Sequence, residues 1–246
     1  MTRLVGAEVF KMRTTRTFFG LCAGAIGLVL LIVILSSSLG KEGDTTMEDA
    51  LTSGAFALVF ALLLGILAVT SEFRHGTITP TLLIVPDRAR LTLSKLFASM
   101  LAGLALVLVL TAAGGLFGWL ILSARGFDTT VGSDTTKEVI GGIVATCLYA
   151  ALGVGIGAVV RNQVGAIIGS LVYLFVLENL LNIAKPLRDP VAKFGLTGLI
   201  NGLTTTNSTD DHPPLHQVPA GLVLTAYCAI FLVIGIVLMK KRDITA

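Results

Sequence analysis

The chain of 246 residues is 54% hydrophobic and only 13% charged, and its mean hydropathy is +0.89. A soluble domain usually carries about 25% charged residues. The composition therefore excludes a soluble protein and indicates an integral membrane protein. The formal net charge of +3 is no sign of a nucleic-acid partner, and none is expected. The positions of the charges instead indicate which loops face the cytoplasm.

The N-terminal segment predicts a short helix on the membrane surface. Val5, Val9 and Met12 recur at helical spacing, with Arg3 and Lys11 on the other side. This pattern is typical of a helix that lies in the membrane interface. The apolar run that follows is longer than the core of a signal peptide, so we expect it to span the membrane and not to be cleaved.

Six apolar runs are long enough to cross a membrane as helices. None of them shows the alternation of an outer-membrane barrel strand. We therefore expect an all-α membrane protein in which residues 1–246 form one transmembrane domain. The predicted spans are residues 18–39, 50–70, 96–122, 139–160, 164–184 and 218–239.

Lysine and arginine orient these spans, because cytoplasmic loops carry an excess of both. Six spans put the two termini on one side, and we expect that side to be cytoplasmic. On this assignment twelve of the 18 lysines and arginines lie inside, namely Arg3, Lys11, Arg13, Arg16, Arg74, Arg88, Arg90, Lys95, Arg161, Lys240, Lys241 and Arg242.

The longest outer loop, residues 185–217, contains the apolar stretch PVAKFGLTGLINGL, which is too short to cross a membrane. We expect one or two short interfacial or re-entrant helices there, followed by a polar turn. Asp210, Asp211 and His212 are residue types that bind metals, but next to two prolines they fit a solvated turn better. No metal site is expected.

Several catalytic motifs are absent from the sequence. There is no G-x-x-x-x-G-K-[ST], so the chain does not bind ATP through a P-loop. H-E-x-x-H and G-x-S-x-G are absent as well. We expect that the chain by itself is not an enzyme and holds no cofactor.

Glycines at helical spacing predict tight helix packing in lipid. Gly153 and Gly157 form one such pair in the fourth span, and Gly165 and Gly169 form another in the fifth. The spacing leaves open whether the partner helix belongs to the same chain or to a second copy.

Glu178 is an ionisable residue within the fifth span, and Asn179 and Asn182 lie near it. An ionisable group inside a membrane is costly and usually faces protein or a cavity. Two interpretations are open. Glu178 reaches outer water or pairs with an arginine such as Arg188, or the three residues belong to a transport path or gate.

Residues 71–95, SEFRHGTITPTLLIVPDRARLTLSK, form a basic and turn-rich interruption between two spans. Gly76 permits a sharp turn. Thr79 and Pro80 fit the N-cap and first residue of a helix, and Pro86 ends it. A helix of one to two turns is marginal alone. Its apolar residues should therefore pack against lipid or in the groove of a cytoplasmic partner.

The stretch E-F-R-H-G-T, followed by P-D-R-A-R and a lysine, looks like the E-x-x-x-G-T…P-x-x-R…K pattern of ABC-2-type transporter permeases. The topology of the whole chain is similar to that family. In the family this loop forms a coupling helix that docks onto a separate ATPase subunit. The resemblance assigns to the coupling loop Glu72, Gly76, Thr77, Pro86, Arg88 and Lys95. In that role Leu83 and Ile84 should supply the apolar contact, with Arg88 and Arg90 at the rim and Arg74 and Pro80 completing the set.

The resemblance implies the permease subunit of a bacterial ABC exporter in the cell membrane. Its partners would be two copies of a cytoplasmic ATP-binding subunit, which hold ATP and Mg, and a second permease copy or a related permease. The few polar groups in the spans favour a hydrophobic or amphipathic cargo, such as a drug, antibiotic, lipid or peptide. Two alternatives are an intramembrane enzyme and an immunity or signalling protein that binds an extracellular peptide.

Overall fold

A computed structural model of the chain describes residues 1–41, 45–205 and 213–241, and no strand occurs within these ranges. The prediction of an all-α protein is confirmed. Short 3-10 turns cover Ser53–Phe56 and Lys185–Leu187, and a π-helical turn covers Tyr173–Leu177. The α-helices are α1 (Thr2–Thr14), α2 (Arg16–Leu39), α3 (Met47–Thr52), α4 (Ala57–Arg74), α5 (Ile78–Ile84), α6 (Arg88–Ala124), α7 (Thr135–Val160), α8 (Gln163–Val172), α9 (Glu178–Ile183), α10 (Arg188–Phe194), α11 (Leu196–Thr204) and α12 (Gln217–Lys241).

The predicted number of spans is confirmed, since six helical segments of the described ranges are long and apolar enough to cross a membrane. The third starts well before the predicted residue 96, at Arg88, because Asp87 caps the helix there by accepting hydrogen bonds from the backbone N–H groups of Ala89 and Arg90. The six segments are Arg16–Leu39, Met47–Arg74, Arg88–Ala124, Thr135–Val160, Gln163–Ile183 and Gln217–Met239.

Two of the six segments are not continuous α-helices. The second changes to a 3-10 turn between α3 and α4, where Gly54 lies so close to α6 that an added Cβ would collide with Thr111. The fifth contains the π-helical turn between α8 and α9. A π turn inserts an extra residue and so changes the direction in which the following side chains point. The residue directly after it is Glu178.

Close packing of α4 against α7 forms the centre of the bundle. A Cβ added to Gly65 would collide with the carbonyl oxygen of Ala150, and one added to Gly153 would collide with that of Leu62. Helices in lipid gain little from burying apolar surface, so backbone approach of this kind is what stabilises their contact. Gly153 therefore packs within the chain.

Gly157, the second glycine of the same pair, also packs on α4, beside Ile66. The predicted pair Gly165 and Gly169 is placed differently. Gly169 has no atom of another residue near the position of a Cβ. Gly165 meets only Asn162, in the turn that precedes its own helix. Both glycines of the fifth segment are exposed, and no other helix in the described ranges packs closely on them.

The two ends of the bundle are built differently. One end, called the α5 end below, carries α1, α5 and the last turn of α12, which meet α4 and α6. The opposite end, called the α11 end, carries α10 and α11, as expected for short helices in the loop 185–217. Asp210, Asp211 and His212 lie outside the described residues.

Candidate functional site

The chain leaves α4 at the α5 end through a tight backbone turn. Gly76 has a positive φ of 66°, which favours glycine, and its N–H donates to the carbonyl of Phe73. The N–H of Thr77 donates to the carbonyl of Glu72 at 3.0 Å. These two bonds close a helix with the Schellman pattern. Gly76 and Thr77 thus set the direction of the chain as it enters α5.

Helix α5 begins earlier than the sequence predicted. Its N-cap is Thr77 and not Thr79, and Pro80 is its third residue. The Schellman turn already places the chain in helical conformation at Ile78. The helix therefore starts there and does not need a proline as its first residue. Val85 leaves the helix with φ −123° and ψ 85°, as expected for the residue before Pro86.

The side chains of α5 divide into a buried and an exposed set. Ile78 is buried, and Leu82 packs beside it on a cluster formed with Leu91 and residues of α4, α7 and α12. Leu83 and Ile84 are 80% and 83% exposed. The seven-residue helix α5 is therefore packed on the bundle through one face and exposes two large apolar side chains on the other.

Four alternating charges join three helices beside this turn, and they are called the charge cluster below. The Nζ of Lys95 on α6 lies 2.8 Å from Oε1 of Glu72 on α4 and 2.8 Å from Oε2 of Glu8 on α1. Lys11, also on α1, donates to Oε1 of Glu72. Glu72 and Lys95 are 1% and 2% exposed. The charge cluster fastens the N-terminal helix to the start of the α5 loop.

This burial places two residues of the coupling-loop pattern inside the bundle. Glu72 and Lys95 match the coupling-loop pattern, yet both are buried, so a protein that docks on α5 would not contact their side chains directly. Lys11, expected on the side of α1 away from the apolar residues, contacts Glu72. The pattern residues support the loop from inside, while the exposed surface comes from α5.

Two arginines hold the last turn of α12 at the same end. Arg88 donates to the carbonyl of Met239, and a nitrogen of Arg161 donates to the carbonyl of Leu238 at 2.7 Å. Unpaired carbonyls at a helix C-terminus favour such cations. Arg88 is half-buried, so it differs from the expected rim charge, whereas Arg90 is exposed.

The lysine and arginine pattern predicts Arg161 only as an inner charge, and its contact with α12 is not predicted from the sequence. Arg161 ends α7 with a positive φ of 57°, uncommon for a residue with a side chain. The three-residue turn Arg161-Asn162-Gln163 between two spans is the signal that could have indicated a constrained arginine. Arg74 lies nearby and exposed, with its guanidinium 3.4 Å from the amide oxygen of Gln163.

Glu178 is buried at the α11 end and caps a helix there. The N–H of Thr197 lies 3.2 and 3.0 Å from the two carboxyl oxygens, and the hydroxyl of Thr197 donates to one of them. Thr197 is the second residue of α11, where backbone N–H groups lack partners within the helix. Arg188 donates to the carbonyl of Asn182. Arg188 therefore does not pair with Glu178, whose carboxylate binds Thr197 instead.

We expect Glu178→Ala to lower the free energy of unfolding by about 1–2 kcal/mol, because it removes a helix cap. Glu178→Gln keeps an acceptor oxygen for Thr197 and should cost less. Thermal unfolding of the purified variants measures both effects. Asn179→Ala is the matched control, since Asn179 is exposed and its amide donates only to the carbonyl of Phe175 in its own helix. Loss of transport in the Gln variant at unchanged stability would instead indicate a gate.

An apolar cavity of about 400 Å³ lies between α7, α8 and α12. Most of its wall is hydrophobic, and Ser170, Tyr173 and Tyr227 supply the hydroxyl groups. Glu178, Asn179 and Asn182 are not among its lining residues. The cavity suits an apolar or amphipathic molecule better than a sugar or an ion.

Comparison with known proteins supports one family. The family model of the ABC-2 family transporter protein matches residues 4–177, from α1 through the π-helical turn. No curated protein matches the chain. Members of this family are membrane subunits of ABC transporters and work with an ATP-binding subunit. The match covers well over half of the 246 residues, and the chain belongs to the ABC-2 transporter family as a permease.

Proposed function

We propose that this chain is the permease subunit of an exporter that moves a hydrophobic or amphipathic molecule out of a bacterial cell. Two copies of a cytoplasmic ATP-binding subunit would hold ATP and Mg and dock at the α5 end. A second copy of the chain, or a related permease, would complete the path.

The observation that carries the proposal is the exposed pair Leu83 and Ile84 on α5. A short helix is marginal alone, and buried apolar anchors are what fix protein interfaces, so two large apolar side chains that point outward from such a helix favour contact with a partner. The charge cluster and the Schellman turn hold α5 in place from inside. A partner that pushes on α5 would therefore move α4 and α6.

The cavity between α7, α8 and α12 supports the proposed cargo class. Its wall offers hydroxyl groups but no charged side chain, so it favours apolar or amphipathic molecules. An intramembrane enzyme would need convergent acids or a nucleophile, and the buried Glu178 is engaged by α11. No contact in the described part of the chain favours that alternative or the immunity protein.

Co-expression with an ATP-binding protein encoded beside this chain tests the proposal. The two should purify together, and proteoliposomes that contain both should hydrolyse ATP faster when a transported hydrophobic compound is added. Co-purification without any ATP-dependent movement of compound would contradict an exporter. Absence of co-purification would contradict the permease–ATPase assembly.

We expect the α5 end to face the cytoplasm, because most lysines and arginines lie there. In a variant without Cys22, Cys147 and Cys228, a single cysteine at the exposed Ser133 should react with an impermeant thiol reagent added to intact cells. A cysteine at the exposed Thr79 should react only after the cells are broken. Labelling with the opposite pattern would reverse the orientation.

A further inference from the structure

We propose that a cavity at the α5 end binds the headgroup of an amine-bearing phospholipid, a phosphoethanolamine lipid. The cavity, called the headgroup cavity below, has a volume of about 310 Å³ and lies between α1, α2 and α4. It is distinct from the apolar cavity and from the exposed pair on α5. Charged and polar groups line one part of it, and apolar side chains of α2 and α4 line the rest.

Glu72 gives the headgroup cavity an unused acceptor. Its Oε1 accepts from both Lys11 and Lys95, whereas Oε2 is buried and has no hydrogen-bond partner. A buried polar atom without a hydrogen-bond partner is destabilising, because it has lost its water and gained no partner. A ligand that donates N–H groups to Oε2 would remove this destabilisation. A primary ammonium group is such a donor.

A cation on the same wall is free to bind an anion. Arg74 is exposed, and the contact to Gln163 at 3.4 Å is long for a hydrogen bond. Guanidinium groups bind phosphate strongly because their N–H groups match its oxygens. His75 and Lys11 line the same cavity. The headgroup cavity thus offers a phosphate partner and an ammonium partner together.

The groups that remain unpaired in the lining select a zwitterion. Lys95 pairs with both lining acids, Glu8 and Glu72, and Lys11 pairs with Glu72. The groups left for a ligand are the guanidinium of Arg74 and Oε2 of Glu72. An anionic headgroup without an amine would leave Oε2 of Glu72 unpaired. A choline headgroup would do so as well, because its nitrogen carries no hydrogen. Phosphoethanolamine supplies both charges and the donor.

The apolar part of the headgroup cavity selects a lipid over a free zwitterion. Phe18 at the start of α2 and Leu64, Leu67 and Ala68 of α4 line it. Both helices belong to segments that can cross the membrane. An acyl chain can lie along these side chains while its headgroup remains at the charged part, where α1 meets the bundle.

The test uses the full chain in phosphatidylcholine nanodiscs doped with equal amounts of phosphatidylethanolamine and phosphatidylglycerol. Lipids retained after mild extraction are quantified by native mass spectrometry. We expect phosphatidylethanolamine to be enriched over both other lipids. Arg74→Gln should lower that enrichment roughly tenfold, since it removes a charge-assisted hydrogen bond. The control Arg13→Gln, an exposed arginine of α1 outside the lining, should leave it unchanged.

Each other outcome contradicts the proposal. Equal retention of the three lipids would mean that the cavity does not select a headgroup, and enrichment of phosphatidylglycerol would mean that it is an anion site. Water-soluble glycerophosphoethanolamine should compete poorly. Competition as strong as that of the intact lipid would identify a free zwitterion as the ligand. Unchanged enrichment in Arg74→Gln would remove the headgroup cavity as the binding site.

Discussion

Leu83→Asp should abolish both co-purification of the ATP-binding subunit and transport. Leu83 is 80% exposed on a helix whose other face is seated on the bundle, so the substitution alters the outward surface and not the core. A carboxylate placed in an apolar contact must lose its water, and a truncated apolar anchor alone commonly costs at least about 2 kcal/mol at an interface. Pull-down of the co-expressed ATPase and ATP-dependent transport measure the two effects.

The control for this variant is Val131→Asp. Val131 is also apolar and 49% exposed, but it lies in the loop between α6 and α7, away from α5. It should retain the full complement of ATPase. Insertion of Leu83→Asp should remain normal, because Ile78 and Leu82 still seat α5. A Leu83→Asp variant with a full complement of ATPase and normal export would make α5 a lipid-surface helix and leave the docking site elsewhere.

The sequence predicted the number of spans because length and apolar composition are local properties of the chain. The start of α5 was predicted two residues late, because that prediction used only a local signal. The Thr79-Pro80 pair is a local helix signal, whereas the actual start is set by hydrogen bonds from Gly76 and Thr77 back into α4. The turn that ends α4 also begins α5. A rule that considers only the residues at a helix start cannot predict this.

Long-range pairing accounts for the rest of what the sequence missed. Nothing in the spacing links Glu8 with Lys95, or Arg88 with the carbonyl of Met239, yet both contacts join elements far apart in the chain. The rule that membrane acids are costly did single out Glu178. It could not show that the partner would be a backbone N–H of α11. The sequence thus identified the important charged residues by their type and position. Their contacts could be assigned only from the structure.

Lys95→Met should be the most destabilising single change that we predict, at about 3–5 kcal/mol. Lys95 is 2% exposed and pairs with both Glu72 and Glu8. Its removal leaves the buried carboxyl group of Glu72 with only Lys11, at the edge, to compensate, and it removes the ion pair of Glu8. Breaking a buried ion pair by removing one partner is costly, because the other charge remains in a poor solvent. Denaturant or thermal unfolding in detergent measures the loss.

The double variant Glu72→Leu/Lys95→Met separates charge burial from packing. Replacement of a whole buried pair by apolar residues of similar size is often neutral, so it should recover most of the stability that Lys95→Met loses. Glu8 can remain partly hydrated, since its side chain is 12% exposed. Arg90→Met, which removes an exposed charge on the same helix, should change stability by no more than about 0.5 kcal/mol.

The double variant Glu72→Leu/Lys95→Met would nevertheless lose both ion pairs of Glu72 with its lysines. Protease or labelling reagents should then reach α1 faster than in the natural chain, although the bundle is folded. If Lys95→Met were as mild as Arg90→Met, the charge cluster would contribute no stability, and α1 would be held by its half-buried apolar residues alone.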